Sequence, residues 1–162
     1  ASGTGTELLE PRTAYFLEHA ELRRETQWRI FFRDLRTQVI GLEALAGKRW
    51  LVHESPWLSR HLDLAGECRE WVTRQQGQTQ WLWPDAHGRD CIDCGGEGAY
   101  SRLFPSQASR MAKDVWMRDQ GRANGIFCFS ARCAKHLRAN LDPSVEVVCL
   151  MEQFEKSRRK AL

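Results

Sequence analysis

Apolar residues recur at helical spacing along the first part of the chain. From Trp28 they continue through Phe31, Phe32, Leu35, Val39, Leu42 and Leu45, a three-four rhythm that buries one face of a helix. Tyr15, Phe16, Leu17 and Ala20 extend it upstream, in the same helix or in a separate one. Gly47 is placed to end it, because glycine accepts the left-handed conformation of a C-cap. Ser55-Pro56 reads as a cap followed by proline at the first helical position. Leu58, Leu62, Ala65, Cys68 and Val72 then form a second stripe that stops near Gly77. The polar run Gln75-Gln76-Gly77-Gln78 marks a boundary, and Gln80-Trp81-Leu82-Trp83 reads as a short strand ended by Pro84.

The second half alternates shorter elements. Pro105-Ser106 opens a helix to about Arg118, with Met111 and Val115 on one face. Gly121 and Asn124-Gly125 supply turns, and Ile126-Phe127-Cys128-Phe129 is a short strand. Ser130 can cap a helix from Ala131 to about Asn140. Asp142-Pro143 starts a last segment, in which 145–150 suits either a helix or a strand. The pattern predicts a mainly α chain with a small α+β module. A helical domain occupies 1–78, a zinc module of treble-clef or zinc-ribbon type 79–140, and a C-terminal helix with a basic tail 141–162.

Chemistry enters with four cysteines. Cys91 and Cys94 form one pair, and Cys128 and Cys133 a second, distant one. Two thiolates on a tight turn, completed by a second pair, are a tetrahedral zinc clamp, and four thiolates leave no open position for catalysis. Gly95-Gly96 lets the backbone double back after Cys94. Cys133 falls in the first turn of its helix, where the macrodipole favours a thiolate. Redox-active or disulfide-bonded cysteines and plain buried thiols are the other readings. His136, one turn after Cys133, could replace a cysteine or simply be a solvated or neighbouring group. Cys68 and Cys149 read as core thiols.

Composition narrows the class. The 162 residues are 42% hydrophobic and 28% charged, as in a globular protein. No apolar run is long enough to span a bilayer. The N-terminal Ala1-Ser2-Gly3-Thr4-Gly5-Thr6 has no apolar stretch behind it, so no secretory leader is read and a cytoplasmic location is expected. The net charge is only +3, and seven tryptophans suit core or interface anchors.

Basic residues cluster around the cysteines. Arg110, Lys113, Arg122, Arg132, Lys135 and Arg138 are the candidates for phosphate contacts, with a basic tail from Lys156 onward. A solubilising surface would carry the same residues, and the arginines of the first helix suit either ion pairs or phosphate. No catalytic constellation emerges. His53-Glu54 lacks the second histidine of a helical zinc protease, the deaminase pattern is absent, and Asp85, His87, Asp90 and Asp93 suit a polar loop as well as a hard-metal site.

Cys91-Ile92-Asp93-Cys94-Gly95-Gly96-Glu97-Gly98 resembles one copy of the glycine-rich cysteine motif of J-domain co-chaperones, which carry four. The region from Cys91 to Leu137, with its Cys-x-x-Cys-Gly-Gly start, long insert, second cysteine pair and following helix, resembles the zinc-finger part of the large subunit of type IV CRISPR effectors. That resemblance implies a subunit that helps an RNA-guided complex engage DNA, with zinc as scaffold. The expectation is a non-enzymatic nucleic-acid-binding subunit of a larger assembly, with other protein subunits as partners. The alternatives are a protein-protein adaptor with a tryptophan-rich docking surface and a redox protein.

Overall fold

Trp50, Leu51 and Val52 are apolar in succession and fully buried, the mark of a strand covered on both faces. They lie in β1 (Arg49–His53). The computed structural model describes residues 42, 45–74, 79–84, 92–97, 99–119, 121–153 and 156. After β1 come a π-helical turn (Trp57–His61), α1 (Ala65–Arg74), β2 (Gln80–Leu82), α2 (Tyr100–Leu103) and α3 (Pro105–Met117). Then follow β3 (Gly125–Cys128), α4 (Ala131–Asn140) and β4 (Glu146–Cys149).

The four strands form one sheet in the order β2-β1-β3-β4, and every ladder is parallel. Parallel neighbours need crossovers, and these are right-handed. β2 lies to one side of β1, whereas β4 continues to the other side of β3. The connecting helices α1 and α4 must therefore cover opposite faces.

The two cores show that they do. Trp50, Val52, Phe127, Phe129, Val148 and Leu150 join Leu58, Leu62, Leu64, Cys68, Trp71 and Val72 of the first crossover. Leu51, Ile126, Cys128, Val147 and Cys149 point the other way, toward Ala112 and Val115 of α3 and Cys133, Ala134 and Leu137 of α4. The period-two alternation of strand side chains thus sorts each strand between two layers. Cys68 and Cys149 are buried thiols of these cores, as expected.

Several local features follow from single residues. Ser130 accepts the Cys133 N–H at 3.3 Å and caps α4. Gly47, at φ 74°, is left-handed, as its terminating role requires. Gly125 opens β3 where a Cβ would come within 2.4 Å of the Glu146 carbonyl oxygen and 2.7 Å of Trp50.

The architecture mixes helix and strand, but it departs from the expected ribbon. No hairpin occurs among the described ladders; all are parallel. The boundary expected at residue 78 runs through the sheet, since β1 precedes it and its partners β2 and β3 follow it. The strand β1 was not expected at all. The ambiguous 145–150 segment contains β4. The helix expected from Trp28 lies outside the described residues, apart from Leu42 and Leu45, and so does the tail beyond Lys156.

Candidate metal centre and basic helical layer

Strand order reverses between β1 and β3, and the carboxyl ends of strands at such a point form a crevice. His53 is the last residue of β1 and only 2% exposed. Cys133 sits in the first turn of α4, directly after β3. Cys94 comes from the segment between β2 and α2. There the Asp93 carboxylate accepts the Gly95 N–H at 2.7 Å, and the Gly96 N–H points at the Cys94 sulfur at 3.4 Å.

Two glycines allow this turn. Gly95 has φ 76°, and a Cβ there would lie 2.9 Å from the Cα of Ala108. A Cβ on Gly96 would lie 2.7 Å from that of His136. The turn is thus pressed onto α3 and α4, and it delivers Cys94 to the other two residues.

The donor atoms of His53, Cys94 and Cys133 lie within 4.8 Å of one another, and all three residues are buried. The Cys94 thiol is held well below its usual pKa, first by a hydrogen bond from Cys133, then by the His53 charge and the Gly96 N–H, against the effect of burial. The Cys133 thiol is pushed well up by that same hydrogen bond and by burial. Burial opposes a charge on His53, but Cys94, Glu97 and Asp93 outweigh it and raise the imidazole above 6.5.

This group could hold a metal ion. Two sulfurs and an imidazole are donors that suit a soft or borderline transition metal. The Nε2 of His53 is buried with no hydrogen-bond partner among the described residues, and an ion would supply one. Such an arrangement of one thiolate, one thiol and one imidazole binds an ion by giving up protons.

The sequence candidates divide around this centre. Cys94 and Cys133 are brought together. Cys128 ends β3 as the register partner of both His53 and Cys149, and it lies outside the three-donor group. Burial and the neighbouring Cys149 push its thiol well up. Cys91 lies outside the described residues, as do Asp85, His87 and Asp90. His136 does not take a ligand's place: its Nε2 donates to the Ala108 carbonyl at 3.1 Å and its Nδ1 faces Asn140. His53 was missed as a ligand. Its only local signal is a histidine directly after a buried apolar triplet.

The layer that carries Cys133 is basic. Residues 100–140 contain eight lysines and arginines against two aspartates, and α4 has no acidic residue. Across the sheet, Arg60, Arg69 and Arg74 are matched by Asp63, Glu67 and Glu70, with Arg74 paired to Glu70.

Two of the six phosphate candidates are engaged. Arg138 binds both carboxylate oxygens of Glu152, at 2.6 and 2.8 Å, and the Val147 carbonyl at 2.7 Å. Arg122 pairs with Asp119 at 3.2 Å. Arg110, Lys113, Arg132 and Lys135 are exposed and make no hydrogen bond or ion pair among the described residues.

Exposed apolar surface lies on the same layer, at Tyr100, Leu103, Phe104 and Met117. No tryptophan among the described residues is exposed. Trp50 and Trp71 are buried, and Trp57, Trp81, Trp83 and Trp116 are half-buried. No described helix is long and apolar enough to cross a membrane. No protein-family model, curated protein or solved structure matches the chain.

Proposed function

We propose that the chain is a non-enzymatic nucleic-acid-binding domain, held together by a structural zinc ion, that serves as one subunit of a larger nucleoprotein assembly. The observation that carries this reading is the charge asymmetry of the two helical layers: one is balanced, and the other presents Arg110, Lys113, Arg132 and Lys135 without partners among the described residues. Unpaired cations on one face attract phosphate and gain from counterion release.

His53, Cys94 and Cys133 would hold the zinc. Cys91, with the spacing of a metal-binding pair to Cys94, is proposed as the fourth ligand. Full burial of the three described ligands favours a scaffold over a reaction centre. A thiol-rich site of this kind fits a reducing compartment, so the cytoplasm is the proposed location. An RNA-guided effector is the assembly suggested by the resemblance in 91–137, where a subunit contributes backbone contacts while base pairing reads sequence.

The test is a salt-titrated binding assay with labelled nucleic acid. Affinity should fall steeply with salt. Arg132→Ala and Lys135→Ala should each weaken binding at all sequences and flatten the log-log salt slope by roughly one unit per lost contact. Binding that ignores both changes and salt would reject the reading.

A further inference from the structure

The exposed aromatic side chains on the basic layer have a specific geometry. Tyr100 opens α2 and Phe104 follows it, 40% and 50% exposed, with ring centroids 5.3 Å apart and planes at 44°. Leu103, between them, is 68% exposed. The Phe127 pairs with Trp81 and Phe129, by contrast, are built around a ring buried in the core. Leaving two rings and a leucine in water is unfavourable by the usual hydrophobic measure, so a ligand that covers them gains apolar burial.

The rings are also positioned. The Tyr100 hydroxyl donates to the Gln107 side chain at 2.8 Å, which ties α2 to the first turns of α3. Gln107 precedes Arg110 by one helical turn, so both share a face of α3. The aromatic pair therefore lies on the side of α3 that presents Arg110, a cation with no partner among the described residues. A cation beside exposed aromatic rings is the chemistry of single-strand recognition: the cation takes the phosphate, and a ring takes a base, because every base has a π-face. A duplex keeps its bases stacked and has none to offer. Charge complementarity thus selects a polyanion, and the rings select one with free bases.

We infer that the nucleic acid bound by this layer is single-stranded, with Tyr100 and Phe104 as its stacking platform and Arg110 contacting the adjoining phosphate. This rests on the nucleic-acid reading above and narrows it.

The experiment compares labelled oligodeoxythymidylate and oligouridylate with a duplex of the same length, by fluorescence anisotropy across a salt series on the zinc-loaded full chain. The single strands should bind more tightly than the duplex. Tyr100→Ala and Phe104→Ala should each weaken single-strand binding roughly tenfold, with the salt slope unchanged. Phe104→Trp should retain or improve it. Circular dichroism and metal content identify variants that fold, and surface positions as open as these should pass. If duplex and single strand bind alike, and the alanine variants match the parent while Arg132→Ala still weakens binding, the stacking platform is overturned and the nucleic-acid reading stands. If no probe binds at low salt, both are overturned.

Discussion

His53 and Cys128 are register partners at the carboxyl ends of adjacent parallel strands, and only His53 shares a donor cluster with Cys94 and Cys133. Neighbours on one sheet edge therefore have different fates: one side chain completes a metal-capable group, and the other remains a core thiol.

That difference predicts how variants bind metal. Cys128→Ala should keep the metal content of the parent, whereas His53→Ala and Cys133→Ser should lose it. At an ion concentration one hundred times the dissociation constant, binding adds about 2.7 kcal/mol. Stripping it should lower the melting temperature by roughly 5–10 °C in a chain of this size. Elemental analysis and melting curves with and without chelator read both effects. Loss of metal in Cys128→Ala with retention in His53→Ala would restore the four-cysteine clamp.

Metal uptake should release protons. In the free protein Cys94 is already favoured as a thiolate, Cys133 keeps its proton and His53 is favoured as the cation. Affinity should therefore rise with pH. The slope of log affinity should be near two below the raised His53 pKa and near one above it, before any proton from further ligands is counted. Calorimetry in buffers of different ionisation enthalpy counts the protons directly. A flat profile would contradict the ligand set.

The fork from Arg138 to Glu152 and the Val147 carbonyl fastens α4 to β4 and to the segment that follows it. Arg138→Ala should cost about 1–2 kcal/mol at neutral pH through lost hydrogen bonds. The ion-pair share should stay under about 1 kcal/mol, because both side chains are roughly 40% exposed. Arg138 holds the Glu152 carboxyl below 4.5. The pair's contribution is thus complete above 4.5 and lost as pH falls through the lower folded value. Urea unfolding across that range should show the variant and parent converging in acid. A constant gap would assign the effect to the carbonyl contact alone.

Gly125 and Gly66 should respond oppositely to alanine. At Gly125 the new methyl meets the Glu146 carbonyl at 2.4 Å inside the β3–β4 ladder, where neither strand can withdraw without breaking hydrogen bonds. A loss of about 3 kcal/mol or more is expected. At Gly66 nothing lies within 4 Å of the added carbon, and Gly66→Ala should gain roughly 0.5 kcal/mol. Equilibrium unfolding of the two variants side by side checks both signs.

The helices and strands with local punctuation were legible. Ser130 announces α4, Pro105 announces α3, and Asn124-Gly125 announces β3. β1 was not, for a physical reason. Its apolar run is only Trp50-Leu51-Val52, flanked by Arg49 and His53, and a strand buried on both faces has no alternation to betray it. The site was half legible for the same cause. Cys94 and Cys133 announce themselves by residue type and spacing, whereas His53 becomes their neighbour only through the β1–β3 pairing. The basic residues were visible, but sequence could not tell Arg138, engaged with Glu152, from Lys135, which has no partner among the described residues.

The four described strands run parallel, so each of their ladders joins segments separated by a crossover. Long loops must close before any of these contacts forms, which slows folding. His53 and Cys133 reach each other only when β1 and β3 are already side by side. An ion held by this group would then find its imidazole ligand only after the sheet has assembled, and would act as a latch on a finished topology and not as a seed for it. Refolding rates should accordingly be little changed by added metal, while unfolding slows, since interactions formed after the transition state act on the rate of escape.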